Sequence, residues 1–239
     1  FAYHPDKPVL KDLNFEIQPG QFYAVVGHTG SGKSTLLSLL LNFYSPNRGE
    51  IRLDNQPLAD FDHDQLREGI GLIPQEPFIV AGTIADNIDM GRGLGLTAIE
   101  RAAKQAHLHD LISQLPDGYN TELGERGTRL STGQRQQLVI ARALAASPKI
   151  LLLDEATANV DSETEQVVQR ALHELRGDVT LVMVAHRLST IKQADQILVL
   201  SHGEIVERGN HPQLMAMDNG LYHSMYKLQR QAQRVAMRE

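Results

Sequence analysis

Eight consecutive residues, Gly27-His28-Thr29-Gly30-Ser31-Gly32-Lys33-Ser34, fit the pattern GxxxxGK[ST], which is suited to holding phosphate. Glycines let a loop curl until successive backbone N–H groups point inward, and a helix starting directly after it adds its positive end, so the segment reads as an anion cradle. In such a cradle Lys33 reaches the β- and γ-phosphates and Ser34 binds Mg²⁺, while the Thr35 hydroxyl and backbone lie near the α-phosphate. The loop alone says only nucleotide phosphates; kinase, GTPase and motor all remain open.

A second constellation is Asp154-Glu155, which follows the apolar run Ile150-Leu151-Leu152-Leu153. The run reads as a central strand, so two carboxylates sit at its C-terminal end, where open α/β sheets place their ligands. Asp154 is suited to hold Mg²⁺ through water, and Glu155 to act as the general base that polarises an attacking water. Acids at strand ends also serve structure; it is the phosphate loop in the same chain that makes this pair a catalytic candidate.

Both features need strands and helices to position them. Val9 to Ile17 alternates loosely and predicts an edge strand. Pro19-Gly20 turns into Gln21 to Val26, a β-rich run ending at Gly27. Lys33 to Phe43 carries Leu36, Leu37, Leu39, Leu40 and Leu41, apolar nearly all round, which predicts a helix buried against a sheet. Further strands are expected at Glu50 to Leu53, Gly71 to Pro74, Lys149 to Leu153, Val179 to Ala185 and Gln196 to Leu200. Short apolar runs between helices indicate an α/β fold with a mostly parallel sheet. Between Pro77 and Pro148 the pattern changes to helices alone, at Thr97 to Ala106, Leu108 to Leu115 and Thr132 to Ala146, which predicts an inserted helical lobe. From Pro212 to Arg234 a helix is expected, interrupted near Asn219-Gly220.

Ahead of the acidic strand, Leu130-Ser131-Thr132-Gly133-Gln134 resembles the signature of the ATP-binding cassette family, whose usual form is LSGGQ. Other matches follow in that family's order. Gln75 in Pro74-Gln75-Glu76-Pro77 resembles the Q-loop, Ala158 to Asp161 the D-loop, and His186 the switch histidine. Tyr3 stands where the family has its adenine-stacking aromatic. Taken alone, His186 also fits a core histidine, Tyr3 an edge-strand aromatic and Gln75 a solvated amide.

The resemblance covers essentially the whole chain. It implies a P-loop NTPase core over 1–76 and 149–239, with an antiparallel β edge subdomain and a helical subdomain over 77–148. It implies that Mg-ATP is bound by Tyr3 and residues 27–35. Lys33, Gln75, Glu155 and His186 would serve hydrolysis; Ser34, Gln75 and Asp154 would serve the metal. The family's domains pair head to tail, so Ser131, Thr132, Gly133 and Gln134 would face a partner chain's ATP, with Asp161 near the same junction. Gly124-Glu125-Arg126-Gly127 resembles a loop that exporters use to reach their transmembrane segments. Ala185-His186-Arg187-Leu188-Ser189-Thr190 also looks exporter-like, nearest the lipid, peptide and multidrug half-transporters.

The implied function is the ATPase motor of an exporter at the cytoplasmic face of the cell membrane, working with a second such domain and a transmembrane domain. About six membrane spans are then expected upstream of Phe1. Two residues depart from the pattern: Thr132 replaces a glycine, and the D-loop reads Ala158-Asn159-Val160-Asp161. Both belong to dimer surfaces, so a pair of unlike chains is as open as a pair of like ones.

Composition limits the alternatives. The net charge of -6 over 239 residues speaks against a broad nucleic-acid-binding face. The lack of cysteine rules out a thiol nucleophile or a cysteine-bound zinc in this chain. No apolar run approaches the roughly 18 residues that span a bilayer. A soluble cassette ATPase acting on DNA or ribosomes would call for a long heptad insertion, a basic stripe or a second cassette, and none is found. A small-molecule kinase would leave the signature and His186 unexplained. Lys227, Arg230, Arg234 and Arg238 recur at helical spacing; the plain reading is a solvated face.

Overall fold

The computed structural model describes residues 1–154, 162–185 and 188–236. In chain order the strands are β1 (Ala2–His4), β2 (Lys7–Pro8), β3 (Phe22–Gly27), β4 (Arg52–Leu53), β5 (Gln56–Pro57), β6 (Ile70–Ile73), β7 (Ile150–Asp154), β8 (Thr180–Val184), β9 (Gln196–Ser201) and β10 (Glu204–Gly209). The helices are α1 (Lys33–Leu40), α2 (His63–Gly69), α3 (Ile84–Asp89), α4 (Leu96–Gln105), α5 (His109–Ser113), α6 (Thr132–Leu144), α7 (Ser162–Glu174), α8 (Leu188–Ile191), α9 (His211–Met215) and α10 (Leu221–Ala236). The chain divides into two compact units, Phe1–Leu66 with Leu181–Glu239, and Arg67–Thr180.

In the first unit β3 is the central strand. It runs parallel to β9, with Tyr23 opposite Gln196 and Gly27 opposite Leu200, and parallel to β8, with Phe22 opposite Leu181. Partners on both edges explain why all six residues of β3 are buried and apolar or small. β10 closes the other side of β9 as an antiparallel hairpin. Sequence reading missed β10 because Glu204, Glu207 and Arg208 hide its alternation.

The edge strand expected over Val9 to Ile17 does not form. The Val9 and Leu10 N–H groups both donate to the Phe1 carbonyl, Lys11 N–H donates to Gly203, and Asp12 turns left-handed at φ 46°. That turn breaks the alternation a strand needs, and the antiparallel edge is made by β1 with β2 instead. The C-terminal helix is interrupted as expected. Asn210 and Gln213 form a capping box on α9, and the Glu207 carboxylate accepts from the first N–H groups of α10, Leu221 and Tyr222.

In the second unit β6 and β7 pair in parallel, in register from Ile70 opposite Ile150 to Ile73 opposite Leu153. The expected helices at 97–106, 108–115 and 132–146 appear as α4, α5 and α6, each ending a little early. α3 and α4 pack on α6 around Ile84, Ile88, Leu138 and Ile140, all essentially out of water. Each such side chain contributes roughly 1.5–3 kcal/mol.

A polar network threads this core. Asn87 is 0 % exposed, and its Oδ1 accepts from Val80 N–H at 3.0 Å while its Nδ2 donates to the Val80 and Thr83 carbonyls. Arg142 of α6 donates to the Asn87 carbonyl at 2.7 Å, to Asn87 Oδ1 at 3.0 Å and to the Phe78 carbonyl at 2.7 Å. Burial, with the charge of Arg92 nearby, pushes the Arg142 pKa down to about 10. It stays a cation near neutral pH.

Candidate functional site

The phosphate loop lies in the first unit, between β3 and α1. Two of its glycines have specific reasons to be there. A Cβ on Gly27 would stand 2.3 Å from the Leu200 carbonyl oxygen of β9, so only glycine lets the strand end this close to its neighbour. Gly32 sits at φ 105°, and a side chain would meet Leu10 Cδ2 at 2.5 Å. The loop is pinned between them, with Ser31 N–H donating to the His28 carbonyl at 3.1 Å and Gly203 N–H to the Ser31 carbonyl at 3.2 Å.

Several details suit this loop to an anion. Lys33 opens α1 and is only 6 % exposed, with Nζ donating to the carbonyls of Gly27 at 2.8 Å and His28 at 3.0 Å. The ammonium is therefore curled over the loop it would serve. No side chain caps the start of α1 and no acid lies in its first turn, so the helix itself leaves its positive end uncompensated. Among the described residues the buried Ser31 hydroxyl finds no hydrogen-bond partner. His28, Thr29 and Gly30 are exposed, as is Ser34 on the next turn. Thr35 is buried, and its Oγ1 accepts from the Tyr3 hydroxyl at 3.2 Å. Tyr3 is thus tied directly to the helix behind the cradle.

The second unit carries the other candidates. Asp154 is the last residue of β7, half-buried, and Gln75 is an exposed residue two past the end of β6. Because β6 and β7 are parallel with Ile73 opposite Leu153, Gln75 and Asp154 leave the same C-terminal edge of the pair. The signature begins α6. Ser131 is the N-cap, its Oγ accepting from Gln134 N–H at 3.2 Å while Gln134 Oε1 accepts from Ser131 N–H at 2.9 Å.

Thr132 is exposed and opens α6 with helical backbone, and its hydroxyl accepts from Arg135 at 3.1 Å. Threonine is accommodated there without a positive φ, so replacing the usual glycine stores no backbone strain. Gly133 is buried in the same turn. Glu125–Gly127 forms a short 3₁₀ turn preceded by Gly124, and a Cβ on Gly127 would meet Ile79 at 2.9 Å, so this loop packs against the segment that follows Gln75. Glu155, Ala158 to Asp161 and His186 lie outside the described residues.

Sequence reasoning missed Asn87 and Arg142. The signal for Arg142 was present: it is the one charge in the apolar run Leu138 to Leu144, where a solvated face has no place. No group of three or more His, Cys, Asp or Glu able to hold a metal occurs among the described residues. Within the second unit, the Gln75 amide and the Asp154 carboxylate are oxygen donors of the type that hard divalent cations take. Among the described residues no helix is long and apolar enough to cross a membrane.

A strand, glycine loop and uncapped helix carrying a buried lysine define a P-loop nucleotide-binding protein. The family model described as ABC transporter matches residues 10–158. The chain belongs to that family as an ATP-binding domain of the exporter type.

It is 48% identical over 230 residues to the ATP-dependent lipid A-core flippase of Saccharophagus degradans, covering 96% of this chain and 39% of the relative. It is 44% identical over 231 residues to the alpha-hemolysin translocation ATP-binding protein HlyB of Escherichia coli, covering 96% of this chain and 33% of the relative. Among solved structures it is similar to a bacterial Atm1-family ABC exporter with ATP bound, with a TM-score of 0.88 and 42% identity over 96% of this chain and 40% of the other. The chain thus spans between a third and two fifths of these proteins.

Proposed function

We propose that this chain binds and hydrolyses Mg-ATP as the motor of an exporter. Closure of two such domains on ATP would drive an attached membrane domain, and hydrolysis would reopen the pair. The observation that carries this reading is the Lys33 ammonium curled over the Gly27 and His28 carbonyls at the uncapped start of α1. Residues 27–35 take the triphosphate, Lys33 its β- and γ-phosphates, and Tyr3 stacks on adenine. Ser34, Gln75 and Asp154 hold Mg²⁺, which when bound neutralises phosphate charge. Glu155 accepts a proton from the attacking water, and His186 orients Glu155 and that water. Catalysis is positioning plus charge stabilisation, with no covalent intermediate on the protein.

In this reading 1–76 with 149–239 forms the catalytic core and 77–148 the helical subdomain. Ser131 to Gln134 and Asp161 serve the ATP of a partner chain, like or unlike. The domain works at the cytoplasmic face of a membrane, and no nucleic acid takes part. The similarity to ATP-binding proteins of exporters supports these assignments.

The direct test is Glu155→Gln. ATP binding is expected to persist while turnover falls by at least about 10²-fold, the scale of losing a positioned general base. Turnover near that of the parent chain would remove Glu155 from the mechanism.

A further inference from the structure

The Tyr3 ring must be held if it is to serve as a stacking surface, and β1 alone does not hold it. That strand is three residues long, pairs only with the two-residue β2, and leaves Tyr3 46 % exposed. Three contacts fix the ring instead. Its hydroxyl donates to Thr35 Oγ1 in the first turn of α1, and its ring packs edge-to-face on Tyr44, with centroids 5.1 Å apart and planes at 87°. Phe1 adds a second edge-to-face contact at 4.9 Å.

Tyr44 is brought there by a built turn. The chain leaves α1 at Leu41, reverses at Asn42 with φ 55°, and returns toward β1, where Asn47 Oδ1 accepts from Ala2 N–H at 2.6 Å. Both ends of α1 thereby reach Tyr3, the first turn through Thr35 and the following turn through Tyr44. Tyr44 is itself 48 % exposed, so its packing on the neighbouring rings does not make it a core residue.

We propose that Tyr44 is a positioning residue for the nucleobase: it locks the Tyr3 ring at a set place relative to the phosphate loop without touching the base itself. This rests on the reading that Tyr3 stacks on adenine. A ring held in place before binding loses less rotamer freedom when the base arrives, so the gain appears as affinity and not as rate.

The test compares the parent chain with Tyr44→Ala, Tyr44→Phe, Tyr3→Ala and the double variant Tyr3→Ala/Tyr44→Ala. The measurements are KM and kcat for Mg-ATP and competition by inorganic tripolyphosphate, which has no base. Tyr44→Ala is expected to raise KM about 2- to 10-fold, the range of an aromatic pair contact, with kcat and tripolyphosphate affinity unchanged. Tyr44→Phe, which keeps the ring, should match the parent, and the double variant should match Tyr3→Ala alone.

An unchanged KM in Tyr44→Ala beside a raised KM in Tyr3→Ala would overturn the role of Tyr44 while leaving stacking intact. Unchanged KM in both would overturn the stacking reading, and this proposal with it. Additive effects in the double variant would mean that Tyr44 touches the base directly. Weakened tripolyphosphate binding would reduce Tyr44 to general support of α1; either result overturns the positioning role.

Discussion

At the scale of single residues, Thr132 shows how a departure from a family pattern is weighed by geometry. Sequence alone leaves open whether threonine in place of glycine strains the backbone, because glycine often marks a positive φ. The helix settles the point differently: Thr132 is the first residue of α6, in helical backbone, with its hydroxyl engaged by Arg135. Glycine would relieve nothing. Thr132→Gly is therefore expected to leave saturated ATP turnover within about twofold and to cost within about 1 kcal/mol of stability, from lower helix propensity and the lost contact. ATPase assays and chemical denaturation of the variant check both. A several-fold gain in turnover would mean that the side chain itself obstructs the site.

At the scale of elements, legibility followed burial. Largely buried strands are continuous apolar runs, so β3, β7, β8 and β9 were readable to within a residue or two. β10 was not, because an edge hairpin can carry charge at alternate positions. Val9 to Ile17 failed for the opposite reason: its alternation is real, but Asp12 turns left-handed and its neighbours bond elsewhere. The phosphate loop and signature cap were legible because glycine and N-cap residues are required by backbone geometry.

The Asn87–Arg142 network was not legible, since a buried asparagine acquires its meaning only from the carbonyls around it. It joins Phe78 and Val80, just past Gln75, to the helix that begins at the signature. Asn87→Ala is expected to destabilise the chain by about 2–4 kcal/mol, because Val80 N–H, Val80 C=O and one Arg142 contact lose a partner that is itself fully buried. Denaturation midpoints measure this. A loss under about 1 kcal/mol would mean that the groups find water or new partners.

At the scale of the whole molecule, the proposed site needs two chains, and this has a consequence that a self-sufficient monomer would not share. If Ser131 to Gln134 of one chain face the ATP on the other, a chain that cannot bind ATP can still complete its partner's site. Lys33→Ala removes the phosphate-binding cation but keeps the signature. Ser131→Asp keeps an N-cap oxygen for α6 yet points a negative charge where the proposed γ-phosphate would lie, so it spoils the signature while sparing that chain's own phosphate loop. Each variant alone should be nearly inactive. Mixed in equal amounts, half of the randomly formed pairs are mixed pairs, and each of these joins one intact signature to one intact phosphate loop. Turnover should then recover to about a quarter of the parent value, as counting sites in a two-fold pair requires, and the recovered rate per chain should rise with total concentration until pairing saturates. No recovery on mixing, at concentrations where the parent chain is active, would show that each chain completes its own site.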